Sequence, residues 1–418
     1  MTAAKSEAEW SEHPELHLTG LMKTRTLSRR TFIQQALAAS AGAAAALKCG
    51  PNQLLAAENL AAPKLPSLAA RRSEAKVALV SCHSYGPDLR PALEKCFDLL
   101  GGIGSLVQGK TVAVKLNLTN GDFMPFLGRP VGETFMTHYA TALALGSLLF
   151  AAGARRVRFV ESTPSRAALA ATLALGDWDM TALNALGKVE FENTRNLGSG
   201  KSYAHLRVPN GGYMFSAFDL NQSYEQTDVM ISLAKLKLHL TAGVTLSMKN
   251  MFGITPNSLY GGQAGSEDAT AGRQPIHSPR GFDKVHLPGL KEGINSADPT
   301  WRVPRVTVDV CAARPVHLAI IDGITAMTGG EGPWCQEAGK VKPTTPGVLL
   351  AGLNPVSTDA VATAVMGYPD PRAARGVKPF QNCDNHLLLA EQAGLGIADL
   401  AQIDLRGLPI EKARYPYG

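Results

Sequence analysis

The chain alternates short apolar runs with helix-forming stretches from residue 76 onward, and this alternation limits the folds open to it. Apolar runs rich in valine, leucine and isoleucine are typical of strands that are buried on both faces. The predicted strands are 76–81, 111–118, 156–162, 188–193, 228–233, 316–323 and 347–353. Helices are predicted between them, at 88–100, 133–154 and 165–176. We therefore predict an α/β fold, with a mostly parallel sheet and helices on both faces.

Two segments depart from this alternation. Residues 205–220 are predicted to form a hairpin around Asn210, Gly211 and Gly212. Residues 256–304 are polar and rich in glycine and proline. Because a connection of that length inside a compact domain is usually functional or disordered, we predict one long functional loop that covers a binding site.

Composition bounds the size of the core and the class of partner. The chain has 418 residues, of which 45% are hydrophobic and 18% charged, so a substantial core is expected. We assign 76–418 to a single α/β domain. The net charge is only +6, and no basic arm or aromatic-interleaved basic stripe is present, so no nucleic-acid partner is expected.

The N-terminal segment resembles a twin-arginine signal peptide. Ser28 to Ile33 reads "SRRTFI" and is followed by an alanine-rich run from Ala36 to Leu47. That run is too short and too weakly apolar for a stable membrane span. We predict a signal peptide over 1–57 and a linker over 58–75. The implied partner is the twin-arginine export machinery, and the implied location is periplasmic or otherwise extracytoplasmic. After leader cleavage the protein is not expected to be integral to a membrane.

The cysteine spacing bears on cofactors. None of the six cysteines lies in a C-x-x-C pair, so no iron–sulfur cluster of the chain's own is expected. The twin-arginine route carries folded proteins, which favours a bound cofactor or metal without identifying it.

Polar residues follow the predicted strands at the points where these end. In parallel sheets, ligands bind outside the carboxyl ends of the strands, so these residues are site candidates. They are Asn117, Glu161, Lys235, Lys237, His239 and Asp322, together with Asp359 one turn into the last predicted helix.

The stretch "KLKLHLTAGVTLSMKNMFG" carries most of the candidate binding residues. A helix is predicted to start near Thr241, and a helix start beside lysines favours an anion. We predict that Asn117, Lys235, Lys237, Lys249 and Asn250 bind a small anionic ligand. The alternative is a solvated edge whose lysines lie in water.

Four of the candidate residues could have acid–base or metal-binding roles. His239 or Glu161 could serve as the acid–base group, and Asp322 and Asp359 could orient the substrate or hold a divalent metal. His138, His277 and His286 are further candidates for these roles, but no two of these histidines stand in the H-x-H or H-x-x-x-H spacing of a metal site.

Several motifs in order resemble family 362 of the domains of unknown function. They are "VAVKLNL", "AGARRVRFVES", "ISLAKLKLHLTAGVTLSMKNMFG", "IIDGITAMTGGEGPW" and "NPVSTDAVATAVMG", within residues 77–407. The resemblance implies a single α/β domain. It also implies a site formed by three parts of the chain. These are the lysines and the histidine that follow the predicted strand 228–233, the turn at Asp322, and Asp359. It supplies no reaction, and the ferredoxin-type cysteine clusters of some relatives have no counterpart here.

These observations predict an exported enzyme that acts on a small anionic substrate. The rival interpretation is a non-catalytic protein that binds an anionic ligand or cofactor. A redox partner with a separately bound cofactor is a third interpretation.

Overall fold

A computed structural model of the chain describes residues 64–119, 121–338 and 341–417. The predicted signal peptide lies outside these residues. The strands, in chain order, are β1 (Lys76–Ser81), β2 (Thr111–Lys115), β3 (Arg156–Glu161), β4 (Val189–Asn193), β5 (Tyr203–Arg207), β6 (Ala217–Asn221), β7 (Val229–Lys235), β8 (Leu238–His239), β9 (Gly243–Val244), β10 (Leu318–Gly323), β11 (Ala326–Thr328), β12 (Lys342–Thr344), β13 (Val348–Gly352) and β14 (Asp404–Gly407).

Eight of these strands form one sheet in the order β14-β1-β13-β10-β7-β2-β3-β4. Neighbours pair in parallel throughout, except that β13 runs antiparallel to both β1 and β10. The mostly parallel sheet predicted from the apolar runs is therefore confirmed. The predicted hairpin is also present, because β5 and β6 pair antiparallel.

Helices cover both faces of the sheet. They are α1 (Leu68–Glu74), α2 (Leu89–Leu100), α3 (Gly104–Val107), α4 (Tyr139–Ala151), α5 (Leu169–Ala174), α6 (Met180–Ala185), α7 (Leu246–Met251), α8 (Asn257–Tyr260), α9 (Gln274–His277), α10 (Arg302–Ala313), α11 (Pro355–Val365), α12 (His386–Gln392) and α13 (Ile410–Ala413). Helices α2 to α6 pack on one face, and α7 to α13 pack on the other. We call these the α4 face and the α7 face.

Within the predicted linker, residues Leu68–Glu74 form α1, whose side chains are not buried. Among the described residues, no helix combines the length and the apolar character that crossing a membrane requires.

The direction of β13 changes one expectation. Because β13 runs against its neighbours, its carboxyl end lies at the edge opposite to the carboxyl ends of β2, β3, β7 and β10. Asn354 therefore begins α11 at that opposite edge, where its side chain accepts hydrogen bonds from the backbone N–H groups of Val356 and Ser357. The end of the predicted strand 347–353 therefore does not join the other strand ends at that edge.

The segment 256–304 is folded onto the α7 face. Tyr260, Ile276 and Phe282 from this segment are buried in the same core as α10 and α11. These apolar anchors place the intervening residues, among them Arg273 and His277, over the carboxyl ends of β2, β3 and β7.

Candidate functional site

A cavity of about 530 Å³ lies at the carboxyl ends of β2, β3 and β7, with the segment 256–304 forming part of its wall. Most of the residues that line it are polar. Those that carry charge or an imidazole are Lys115, Glu161, Lys237, His239, Lys249, Arg273, His277 and Glu331. Four cationic side chains thus stand against two carboxylates, a balance that favours an anionic ligand.

Lys115 and Glu161 form a buried ion pair at the cavity floor. The Lys115 Nζ–Glu161 Oε1 distance is 2.6 Å, and Lys115 also donates to the carbonyl of Leu116 at 2.7 Å. Glu161 Oε1 accepts the N–H of Ser162 at 2.8 Å, and Oε2 accepts the N–H of Leu118 at 2.7 Å. Both oxygens of Glu161 are therefore occupied, so this carboxylate organises the ends of β2 and β3.

Lys115 is not among the site residues predicted from the sequence. The available signal was a lysine inside an otherwise apolar strand, "TVAVKL", because lysine is almost never fully buried without a partner.

Lys237 lies in the cavity wall with its ammonium fully engaged. Nζ donates to the carbonyl oxygens of Phe135 at 2.8 Å and Glu331 at 2.9 Å, and to Thr119 Oγ1 at 3.1 Å. Burial lowers the pKa of Lys237 to about 7, against the opposing effect of the Glu331 carboxylate. Lys237 therefore holds together the three chain segments that meet at this wall.

Lys249 differs from the other lysines in the wall. Its side chain, from α7, is 8% exposed, and its Nζ lies 4.1 Å from the centroid of the Phe252 ring. Among the described residues, no oxygen accepts a hydrogen bond from this ammonium. Burial is the main cause that lowers the pKa of Lys249 to about 7; the Glu331 carboxylate opposes this shift, and the charges of Arg273, Lys237 and Lys115 add to it.

Arg273 brings a second cation with an available donor. Its Nε donates to the carbonyl of Thr255 at 2.6 Å, and Nη2 donates to the carbonyl of Gly253 at 3.0 Å and to Ser162 Oγ. Within the described ranges, Nη1 has no hydrogen-bond acceptor. Burial lowers the pKa of Arg273 to about 10, so it stays charged at neutral pH.

Two half-buried histidines line the same cavity in opposite tautomers. The backbone N–H of Thr241 donates to Nδ1 of His239 at 3.2 Å, so the proton of a neutral His239 resides on Nε2. Nδ1 of His277 donates to the carbonyl of Arg273 at 2.8 Å, which leaves Nε2 of His277 as an acceptor. Burial lowers the pKa of His277 to about 3 and that of His239 well below its ordinary value, so both rings are neutral.

Asn117 and Asn250 join the cavity floor to α7. Asn117 Nδ2 donates to Asn250 Oδ1 at 3.0 Å, and Asn250 Nδ2 donates to Ser232 Oγ at 3.0 Å. Asn117 is 7% exposed, and its Oδ1 has no donor among the described residues. Both predicted binding amides therefore lie at the cavity, where they bridge β2, β7 and α7.

Lys235 and Asp322 lie on the other side of the sheet. Neighbouring residues of β7 and β10 alternate between the two faces, and these two side chains point to the α4 face. Lys235 Nζ lies 3.2 Å from Asp322 Oδ2 and donates to Tyr85 Oη at 2.6 Å, while Thr141 of α4 donates to the same carboxylate oxygen at 3.0 Å. Their buried ion pair does not line the cavity.

Asp359 occupies the position in which an anion was expected. Helix α7 begins at Leu246, whereas a start near Thr241 was predicted; the intervening residues form the small β8–β9 hairpin. Asp359 accepts hydrogen bonds from the N–H groups of Ser247 at 2.9 Å and Met248 at 2.8 Å. The start of α7 is thus filled by a carboxylate of the chain itself. Burial raises the pKa of Asp359 to about 7.

The two predicted metal ligands are not brought together. Asp322 is bonded on the α4 face, and Asp359 is bonded to α7 on the α7 face. Across the described parts of the chain, no three histidine, cysteine, aspartate or glutamate side chains are grouped as a metal ion would require. His138 caps α4 through the N–H of Ala140 at 3.1 Å and stacks on Tyr85, also away from the cavity.

A mostly parallel sheet with a cavity at its carboxyl edge, lined by several cationic side chains, defines the class of this α/β protein. Residues 112–364 match the family described as Domain of unknown function (DUF362), and the chain belongs to that family. It is also similar to a thylakoid-associated protein of Synechocystis sp., with 29% identity over 187 residues. That match covers 44% of this chain and about half, 51%, of the relative. No solved structure matches the chain significantly.

Proposed function

We propose that this protein is an exported enzyme whose small anionic substrate binds in the cavity beside Lys249 and Arg273. One observation carries the proposal. Both cations present a donor to the cavity, at Lys249 Nζ and Arg273 Nη1, that no described residue accepts. Burying a lysine without an acceptor is costly, and an anion that accepts from Lys249 Nζ and from the remaining donor of Arg273 offsets that cost.

Of the other two cations in the wall, Lys237 also favours an anionic ligand, although its own hydrogen bonds are already used. Lys115 is neutralised by Glu161, and the three acceptors of Lys237 are uncharged oxygens. The positive potential of Lys237 therefore remains available to a ligand although its hydrogen bonds are used. A carboxylate or phosphate group bound here would raise the pKa of Lys249, because an opposite charge favours the protonated form.

The histidines favour an enzyme over a binding protein. Nε2 of His277 can accept a proton and Nε2–H of His239 can donate a hydrogen bond to a developing negative charge, and both rings line the cavity. A positioned proton acceptor and a hydrogen-bond donor for the transition state are two parts of a catalytic site. The predicted acid–base role of His239 is retained in this proposal, whereas that of Glu161 passes to His277.

A non-catalytic anion-binding protein is the second candidate function. It is favoured by Glu161, which accepts hydrogen bonds on both oxygens and is not free to act as a base. The export part of the proposal is supported by the twin-arginine pattern at Ser28 to Ile33.

Calorimetric titration with pyruvate, succinate and phosphate tests the proposed anion site. We expect at least one of them to bind, and K249M to weaken that binding by about tenfold or more, because a charge-assisted hydrogen bond contributes about 1.5–3 kcal/mol. The matched control is K284M, since Lys284 is an exposed lysine of the same segment. Equal affinities for wild type, K249M and K284M would overturn the proposed site.

A second measurement separates the enzyme from the binding protein. The protein is incubated with an acid-soluble cell extract, and the anions that remain are followed by mass spectrometry. An enzyme depletes at least one anion, and H277Q slows that depletion about a hundredfold, the usual size of a general-base contribution. If anions bind but none is consumed, the binding protein is the correct alternative.

A further inference from the structure

We propose that Lys249 is a nucleophile that forms an imine with a carbonyl-bearing anion, such as a 2-oxo acid. The inference rests on the proposed anion site and narrows its substrate to compounds that carry both a carboxylate and a carbonyl. It assigns a reaction to a residue that the sequence marked only as a binding charge.

Geometry singles out Lys249 among the described lysines of the cavity. Lys115 Nζ donates to Glu161 and Leu116, and Lys237 Nζ donates to three oxygens. By contrast, no described oxygen accepts from Lys249 Nζ. Its ammonium lies over the Phe252 ring instead, 4.1 Å from the ring centroid. An amine that holds the chain together cannot leave its acceptors to attack a substrate, whereas Lys249 can.

The surroundings of Lys249 also supply the neutral amine that attack requires. Burial, with smaller contributions from the positive charges of Arg273, Lys237 and Lys115, lowers its pKa to about 7, although the Glu331 carboxylate acts in the opposite direction. At neutral pH, roughly half of the Lys249 side chains are then unprotonated, whereas an ordinary lysine is almost wholly charged. Desolvation next to other cations is a recognised way of activating a lysine for imine formation.

Arg273 provides a place for the carboxylate of such a substrate. Its guanidinium is fixed by hydrogen bonds to Thr255, Gly253 and Ser162, while Nη1 is left for a ligand. A carboxylate bound there would direct an adjacent carbonyl into the space between Arg273 and Lys249. A fixed guanidinium in the same cavity as the amine discriminates a 2-oxo acid from a simple ketone, because only the acid offers it a carboxylate.

The reaction balances with groups that line the cavity. The neutral amine of Lys249 attacks the carbonyl carbon and forms a C–N bond. His277 Nε2 takes a proton from the resulting ammonium and passes it to the oxygen, which accepts a hydrogen bond from His239 Nε2–H, so a neutral carbinolamine forms. One further proton, supplied by bulk water, lets the C–O bond break and releases that oxygen as water, which leaves a protonated imine. Overall, the neutral amine, the carbonyl and one proton give a protonated imine and one water, with no oxidant or reductant.

Reductive trapping tests the proposal on the full chain. Wild type, K249R, K249M and K284M are incubated near neutral pH with pyruvate and cyanoborohydride, then digested and mapped by mass spectrometry. Lactate replaces pyruvate as the matched control, because it has the carboxylate without the carbonyl. We expect the Lys249 peptide to gain the mass of pyruvic acid less one oxygen atom, at least about tenfold faster than any exposed lysine.

The outcomes separate this inference from the proposed function. Labelling at Lys249 that is lost in K249R and K249M, but unchanged in K284M, supports the imine. Binding of pyruvate by calorimetry without labelling of Lys249, or labelling spread evenly over exposed lysines, overturns the imine and leaves the anion site standing. Failure of pyruvate to bind while phosphate or succinate binds also overturns the imine alone. Absence of binding by all three anions overturns both.

Discussion

Three lysines of one short stretch have three different roles, and their hydrogen-bond partners decide which. Lys235 forms a buried ion pair with Asp322, and Lys237 donates to three oxygens. Lys249 has no acceptor among the described residues. Burying a lysine ammonium without an acceptor costs free energy, and the proposed anionic ligand would offset that cost.

K249M is expected to stabilise the free protein, most strongly at acidic pH. Below about pH 7, folded wild type bears the cost of a buried charge. Between about pH 7 and the ordinary lysine pKa of 10.5, Lys249 is neutral in the folded protein and still protonated in the unfolded chain. The destabilisation caused by the buried charge therefore decreases as the pH rises through this range. We predict that K249M raises the free energy of unfolding by at least about 1.4 kcal/mol near pH 6, the equivalent of one pKa unit, and by less near pH 9.

Urea denaturation at the two pH values measures this difference, with K284M as the exposed-lysine control. K284M should change the free energy of unfolding by less than about 0.5 kcal/mol at either pH. A K249M variant that is less stable than wild type near pH 6 would show that Lys249 has an internal partner.

Asp359→Asn is expected to destabilise the fold because Asp359 holds the start of α7. Its carboxylate accepts from the N–H groups of Ser247 and Met248, and an amide cannot accept equally well on both of its atoms. We predict a loss of about 1–3 kcal/mol in urea denaturation, the cost of leaving a buried donor unsatisfied.

A chelator distinguishes this role from the metal role predicted for Asp359. We expect EDTA to leave the thermal midpoint of wild type unchanged, and D268N, at an exposed aspartate, to behave like wild type. A midpoint lowered by EDTA in wild type but not in D359N would restore the metal interpretation.

Site residues were predictable where they follow a parallel strand on the α7 face. The sequence pointed to Asn117, Glu161, Lys237, His239, Lys249 and Asn250, and all of them line the cavity. It also pointed to Lys235 and Asp322, which the pleat directs to the opposite face. Which face of a strand meets a ligand depends on tertiary packing, so strand-end position alone could not separate Lys235 from Lys237.

Among the elements, β13 and α7 show where local pattern is insufficient. The run 347–353 predicts a strand correctly, but an apolar run buried on both faces contains no sign of its direction. Helix α7 starts later than expected because the residues before it pair as β8 and β9. Asp359, more than a hundred residues away in sequence, caps it. The sequence around the start of a helix does not indicate a cap that comes from so distant a residue.

Arg273→Met is expected to loosen the segment 256–304. Arg273 ties this segment to Thr255, Gly253 and Ser162, and these bonds cross between the segment and the ends of β3 and α7. We predict amide hydrogen exchange at least about tenfold faster around α9 in R273M, because local opening is governed by such contacts. R280M, at an exposed arginine of the segment, is the control. Equal exchange in R273M and R280M would contradict the anchoring role.

At the scale of the molecule, the fold class followed from the alternation of apolar runs and helical stretches. The core on each face consists of these runs and of the helices between them. Arg273 and His277 could not be assigned to the site with the same certainty, because they come from the polar segment 256–304. Its position over the strand ends depends on a few buried anchors such as Tyr260 and Ile276.

The export proposal concerns the whole chain and has its own test. Replacing Arg29 and Arg30 together by lysine should abolish twin-arginine transport while leaving the charge unchanged. We expect fractionation of a bacterium with that export system to find the wild-type chain outside the cytoplasm and the double variant inside it. Export of both forms to the same extent would contradict the predicted leader.

The central claim is that the cavity binds an anion between Lys249 and Arg273, and anomalous diffraction from selenate-soaked crystals tests it most directly. The account predicts a selenium peak inside the cavity, with selenate oxygens within about 3 Å of Lys249 Nζ and Arg273 Nη1, and loss of that peak in K249M crystals. Crystals in which selenate orders elsewhere while this cavity stays free of it, at concentrations that saturate binding in solution, would contradict the account.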